Sequence, residues 1–405
     1  MSFLRLHPAW IILGICFLDI FVNFSIRLGY VVSLPEMIRE IGFGRAAAAT
    51  IYNSYLLAYI AATPFAGYLT DRFGARWVIA VCVGILGVGT LLMGTVHDFR
   101  TACLFYALAG LGASGIWTPV LTLVQRWFSP RRRGLALGIV STGYGLGFAA
   151  MGAAFPWIVE NASWRYSWFV LGSAALSMIV VNGLILRSDP ADSGNAIWGE
   201  STETDHASPA PLPSTVTGIL TSPLFWIIGV SYFLITLSLY GMTTFMVDFA
   251  RYELGWTMER ASRLATIHGM SQVLGVLTIL PLSDRLGRKK TVIGSNFMIA
   301  LAVSGVLLFG RTEAVLLSLI AVLAVFYGIT FPVYGACAGD YFHRDRIGTV
   351  IGAWTLFYGA GAVTAHWTGG LIRDAAGSYN GAFAVYAVTA FLSFVLFFKV
   401  DNSKK

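Results

Sequence analysis

Twelve runs of mostly apolar residues, each long enough to cross a bilayer as helix, leave this chain few ways to fold. They fall near 9–34, 47–69, 77–96, 99–125, 134–158 and 166–186, then near 223–249, 262–282, 291–310, 314–338, 347–371 and 381–399. About 20 such residues cover the roughly 30 Å of hydrocarbon in a bilayer, and a helix satisfies its own backbone polar groups where no water can. Composition agrees: 57% of the 405 residues are hydrophobic and 12% charged, against about a quarter charged in an ordinary soluble domain. The expected fold class is an all-α integral membrane protein with twelve transmembrane helices.

The spans form two sets of six. The expected domains are an N-terminal bundle, 1–186, a linker, 187–222, and a C-terminal bundle, 223–405. The linker is rich in Pro, Ser, Asp and Thr, with too little apolar material to fold or cross, so it reads as flexible. The first run carries charge and lacks a clear cleavage site after it, which makes it a span rather than a signal peptide.

With both termini in the cytoplasm, 17 of the 27 Lys and Arg residues lie on the inner side and 9 on the outer, with Arg27 alone inside a span. That excess supports an N-in, C-in topology. It also accounts for the net charge of +7 without a nucleic-acid partner. Cys16, Cys82, Cys103 and Cys337 all sit in apolar runs with no metal-ligand spacing, so neither a disulfide framework nor a zinc site is expected.

The halves repeat. "GYLTDRFGARW", 67–77, follows the second span, and "LPLSDRLGRKK", 280–290, follows the eighth, so that Asp71 and Asp284 stand 213 residues apart in matching places. Duplicated halves point to a site at their interface near the midplane. This doubled Asp-Arg-x-Gly turn resembles the signature of the major facilitator superfamily, whose fold is two pseudo-symmetric six-helix bundles. The resemblance implies gating roles for Asp71, Arg72, Arg76, Arg126, Asp284, Arg285 and Arg288, through carboxylates that pair with Arg or Lys and accept bonds from helix N-termini.

"VQRWFSPRRRGLALGIVSTGYGLG", 124–147, is similar to the loop between spans 4 and 5 in the monocarboxylate-porter and oxalate/formate-type branch. "GDYFHRDRIGTVIGAWTLFYGAG", 339–361, repeats its layout. The Gly-Pro pair that multidrug-type antiporters carry in span 5 is absent from "GLGFAAMGAAFPWI". "GYGLG", 143–147, has no preceding strand and no Walker lysine, so it reads as small residues that let helices approach closely and not as a nucleotide loop. No catalytic role and no cofactor are expected.

A charge inside a span costs at least a few kcal/mol unless it faces protein or water. Arg27 falls about five residues past the centre of a run whose 26 residues would make a helix of about 39 Å. Asp19, Asn23 and Arg27 are spaced four apart, which keeps them on one side of the helix. Two readings stand for Arg27. It either bonds to carbonyls or a buried carboxylate and fixes packing, or it offers a planar fork to an anion in a central cavity. Transporters of organic phosphates and sugar acids in the superfamily bind anions through a span-1 arginine eight residues before a proline, and Arg27 stands eight before Pro35. The resemblance stops there: span 7 has no arginine, and span 8 carries His268 and Gln272 where monocarboxylate and oxalate-type porters have one. A single positive charge suits a monoanion better than a dianion.

Protonatable residues inside spans mark candidate proton paths: Asp19, His268, His366 and Asp248. Span 7 carries Tyr232, Thr236, Tyr240, Thr244 and Asp248 four residues apart, a polar stripe on an apolar helix. Tyr240 and Thr244 lie nearest its middle. With Arg27, Asn23, Asn53, Tyr144, Gln272, Tyr334 and Tyr358 they form the expected substrate lining. The expectation is a proton-coupled symporter of a small organic anion, a monocarboxylate, with exchange as the alternative and a non-transporting sensor as the distant third. Protons and the bilayer are the other expected partners. The family default is a monomer, and the short loops favour a prokaryotic inner membrane.

Overall fold

A computed structural model describes residues 7–194, 197–199, 216–342 and 347–400, with some helical side chains, among them those of Asp71 and Asp284, outside the described set. Helices α1 (Pro8–Ile41), α2 (Arg45–Phe73), α3 (Ala75–Met93), α4 (Phe99–Ala113), α5 (Trp117–Trp127), α6 (Pro130–Asn161) and α7 (Trp164–Ile185) are followed by a short α8 (Val216–Leu220). Then come α9 (Pro223–Tyr252), α10 (Met258–Leu286), α11 (Arg288–Phe309), α12 (Glu313–Tyr341), α13 (Ile347–Ala376) and α14 (Asn380–Phe397). Among the described residues ten helices, with α4 and α5 counted as one, are long and apolar enough to cross a membrane. Two more, α2 and α13, have 29 and 30 residues. In α2, Tyr52, Asn53, Ser54, Tyr55 and Tyr59 replace apolar side chains, which lowers its hydropathy without shortening it.

Local chemistry sets the helix ends. Pro8, Pro130 and Pro223 open α1, α6 and α9 at first-turn positions, where the missing N–H costs nothing. Asp98 caps α4 by accepting the Arg100 and Thr101 N–H groups at 2.9 and 3.0 Å. The Thr101 backbone bond, then the Thr101 hydroxyl, hold this exposed carboxyl below its usual range. Gly74 and Gly287, the glycines of the repeated turns, sit at φ 83° and 86°, where a side chain would strain the backbone. They turn α2 into α3 and α10 into α11 within one residue.

The fourth span is not the single helix that its hydropathy suggests. It breaks at Ser114–Ile116 between α4 and α5, next to Gly112 and Gly115, whose added Cβ atoms would strike α3 at Leu86 and Cys82. Its counterpart α12 runs unbroken.

The chain separates into two compact units. One comprises Met1–Phe43 and Thr50–Thr204, the other Gly44–Ala49 and Asp205–Lys405. In the first, α1 packs on α6 and α7, and α3 on α4 and α7; in the second, α9 packs on α13 and α14, and α11 on α12 and α14. Gly147 lets α6 meet α1, since a Cβ there would lie 2.6 Å from the Phe21 carbonyl; Gly361 does the same for α13 against the Phe233 carbonyl of α9, at 2.5 Å. The close-approach reading of "GYGLG" is the one the packing supports. Large apolar side chains such as Phe65, Leu104 and Leu184 are two-thirds or more exposed, as a lipid-facing surface requires.

Within the segment read as a flexible linker, Trp198 is fastened. Its N–H donates to the Trp127 carbonyl, and the Ser129 N–H donates to its carbonyl, both at 3.0 Å. Its ring lies against Trp10 and Phe128.

Candidate functional site

The first unit builds its polar interior around α1. Asp19, Asn23 and Arg27 are 1, 2 and 5% exposed, so the predicted stripe is buried in protein. The Arg27 guanidinium lies 5.7 Å from the Phe24 ring centroid, 5.9 Å from Tyr55 and 5.7 Å from Tyr59, distances at which ring faces attract a cation. Its backbone is held too, because the Tyr106 hydroxyl donates to the Arg27 carbonyl at 3.0 Å. Tyr106 in turn packs on Tyr30 and Tyr55, with centroids 5.0 and 4.8 Å away. Gly110 of α4 makes room for this, since a Cβ there would collide with the backbone of Tyr55.

Of the other residues predicted here, Tyr144 meets Phe24 edge to face at 4.2 Å, one ring away from the guanidinium. Asn53 is buried on α2. Asp19 pairs not with Arg27 but with α7: Asn182 donates to its Oδ1 at 2.8 Å. Its Oδ2, like Asn23 Oδ1 and Asn182 Oδ1, is buried with no hydrogen-bond partner among the described residues. Such acceptor-rich surroundings favour an electropositive visitor.

In the second unit Tyr240, Tyr358, His268, Gln272 and His366 come together. The Tyr240 and Tyr358 hydroxyls bond to each other, and the Tyr240 ring lies 5.7 Å from His366 and 6.2 Å from Tyr327. Tyr327 stands 5.2 Å from His268. His268 meets Thr243 Oγ1 through Nε2 at 3.1 Å and the Gln272 amide nitrogen through Nδ1 at 2.7 Å. The Thr244 hydroxyl is buried without a hydrogen-bond partner among the described residues.

Two predicted residues fall elsewhere. Tyr334 belongs to a knot that ties α9, α11, α12 and α14, bonding Ser231 Oγ at 2.7 Å and the Asn296 amide at 2.9 Å, while Asn296 also reaches Ser393. Asp248, at the far end of α9, accepts the Tyr379 hydroxyl at 2.6 Å and Arg45 Nε at 3.1 Å. Arg45 lies in the first turn of α2, which this unit includes. Asp374 caps that turn by accepting the Arg45 and Ala46 N–H groups at 2.9 and 2.8 Å.

Of the predicted gating residues, Arg72, Arg76, Arg285 and Arg288 flank the glycine turns, while Arg126 lies in the last turn of α5. Arg76 donates to the Gly183 carbonyl and lies over Trp77, Arg288 donates to Ser283, and Arg72, Arg126 and Arg285 are exposed. Asp71 and Asp284 have side chains outside the described residues.

Sequence reasoning passed over Tyr55, Tyr59, Asn182 and Thr243. Tyr52, Tyr55 and Tyr59 recur at helical spacing on α2, and Asn182 is the one amide in "SMIVVNGLIL"; both signals are present in the sequence. Among the described residues no group of three His, Cys, Asp or Glu side chains is placed to hold a metal.

The sequence profile of the Major Facilitator Superfamily matches residues 11–279 and 228–405. The chain is 24% identical over 372 residues to an oxalate:formate antiporter of Oxalobacter formigenes, covering 88% of this chain and 83% of the relative. It is 21% identical to a hexuronate transporter of Bacillus subtilis, covering 92% of each. Among solved structures it is similar to a bacterial homologue of the human lysosomal transporter Spinster, in an inward-facing and occupied conformation. That likeness has a TM-score of 0.73 and 16% identity over 96% of both chains, and it bears on the fold alone.

Proposed function

Since the chain belongs to the major facilitator superfamily, and so is a multi-pass membrane transporter rather than an enzyme, we propose that it carries a small organic anion, a monocarboxylate, by proton-coupled alternating access. The observation that carries this reading is Arg27. A permanent cation is buried in an aromatic nest in the first unit, where low dielectric strengthens its attraction for an anion and its fork matches a carboxylate. The relatives' names support the class, for oxalate, formate and hexuronate are all carboxylates.

Arg27 binds the carboxylate, with Asn23, Asn53 and Tyr144 beside it on the first unit's side. In the second unit Tyr240, Thr244, Gln272 and Tyr358 are the hydroxyl and amide groups we assign to substrate. Asp19 takes the coupling proton on Oδ2, which has no hydrogen-bond partner among the described residues, with His268 and His366 as further carriers. Uptake of one proton with one monoanion is electrically neutral. Tyr334 and Asp248, whose polar atoms are engaged in knots of their own, serve packing. The protein sits in the plasma membrane of a prokaryote with both termini in the cytoplasm and works as a monomer.

Exchange is the second reading, favoured by the oxalate:formate antiporter among the relatives. Liposomes holding a pH dye and challenged with a panel of small carboxylates separate the two. Protein-dependent acidification that disappears in Arg27→Ala is the outcome expected of symport. Flux seen only with preloaded anion selects exchange, and acidification unchanged in Arg27→Ala removes the role given to Arg27.

A further inference from the structure

A cavity of about 420 Å³ opens where the α2–α3 turn meets the end of α7, lined by Phe73, Gly74, Arg76, Trp77, Arg187 and Ser188. That volume is within the ordinary range for a small-ligand site. Arg76 and Arg187 line it, and among the described side chains no carboxylate does. The nearest acidic residue along the chain beyond Ser188, Asp189, accepts the Ala191 N–H at 3.1 Å. Arg76 is set by Trp77, whose ring centroid lies 4.7 Å away, and its Nε is buried with no hydrogen-bond partner among the described residues. Arg187 spends one terminal nitrogen on the Leu184 and Leu186 carbonyls at 2.9 and 2.8 Å, which leaves the rest of its fork for a ligand. Ser188 accepts the Arg76 N–H at 3.3 Å, so its hydroxyl proton is free to donate.

The flanks of the cavity are apolar and open. Phe73 and Trp77 are 56 and 55% exposed, and Leu184, on the same end of α7, is 67% exposed. An aromatic girdle with basic groups beside bare aliphatic surface is how proteins meet the headgroup layer. Positive charge there attracts the anionic lipids of the cytoplasmic leaflet, and the excess of Lys and Arg puts this end of the bundle on that side. The repeat offers an internal contrast. The 213-residue offset places Lys290 at Trp77 and Val400 at Arg187, so the second unit keeps neither the ring nor the second fork.

We propose that this cavity binds the phosphodiester headgroup of an anionic membrane phospholipid, with Arg76 and Arg187 on the phosphate and Phe73 and Trp77 against the glycerol and upper acyl chains. The shared chemistry is a phosphate, and the exposed aromatic flanks select the lipid over the free ion.

Native mass spectrometry of the purified protein with added phosphatidylglycerol, phosphatidylcholine or inorganic phosphate tests this. Wild type retains phosphatidylglycerol about tenfold over phosphatidylcholine, Arg187→Gln loses about tenfold of that retention, and Trp77→Ala loses part of it. A Lys289→Gln/Lys290→Gln variant, which removes two cations from the matching turn, retains lipid as wild type does. Arg187→Gln carries the test if Arg76 variants fail to fold, because among the described residues the Arg187 side chain bonds to its own helix end alone. Equal retention of both lipids, retention unchanged in Arg187→Gln, or an equal loss in the lysine variant overturns the site. Displacement of the lipid by millimolar inorganic phosphate makes it a free-phosphate site and overturns the lipid assignment.

Discussion

The two units share a plan and differ in charge. The 213 residues between Asp71 and Asp284 carry Arg27 onto Tyr240, Tyr55 onto His268 and Tyr59 onto Gln272; Asp19 and Asn182 fall within two residues of Ser231 and Ser393. In the first unit that frame holds a guanidinium among rings and a carboxylate on an amide. In the second it holds phenols, an imidazole and a hydroxyl knot. Duplication conserved the backbone, as Gly147 and Gly361 show by meeting α1 and α9 in the same way, while among the described residues the fully buried arginine belongs to one copy. For the monoanion transport proposed above one fixed cation suffices, and a second would have to be neutralised in every empty state.

The largest expected effect comes from neutralising the other buried charge of the first unit. Asp19→Asn abolishes uphill accumulation while leaving counterflow exchange within about twofold of wild type, because exchange returns loaded and needs no net proton movement. Loss of both activities together would reassign Asp19 to folding or binding. Next, Tyr240→Arg equalises the two units in charge and shifts preference from monocarboxylate toward dicarboxylate by about tenfold, the worth of one charge-assisted hydrogen bond. Competition uptake with matched mono- and dicarboxylates reads this directly, and an unchanged ratio would place Tyr240 away from the ligand. The smallest effects are structural. Gly147→Ala and Gly361→Ala each force a methyl against a facing helix and destabilise by about 1–3 kcal/mol, seen as similar drops in melting temperature. A drop in only one would show that the helix pairs are not equivalent.

Much of this was legible in the sequence, for reasons tied to particular residues. Spans and repeat follow from hydropathy and from two Asp-Arg-x-Gly turns, since a glycine at positive φ leaves a fixed mark. Arg27 could be singled out because a charge at that depth in an apolar run needs a reason. The rings around it are marked only by the helical spacing of Tyr55 and Tyr59 on α2, which does not say what they face until α2 is laid beside α1. Asp248 read as a proton carrier from its own helix, whereas its partners Arg45 and Tyr379 are 203 and 131 residues away. Tyr334 read as lining, yet its hydroxyl is tied to Ser231 and Asn296. The break in the fourth span lies where α3 comes close at Gly112 and Gly115, which hydropathy does not register.

On the proposed reading the anion is held by the buried cation of the first unit, Arg27. Equilibrium binding of a radiolabelled monocarboxylate to detergent-purified protein, comparing wild type with Arg27→Gln and His268→Gln, addresses it without the complications of flux. Affinity should fall by about thirtyfold or more in Arg27→Gln, in keeping with the loss of a bidentate charged contact, and by less than about threefold in His268→Gln. Affinity that survives in Arg27→Gln, or falls equally in both variants, would contradict the account.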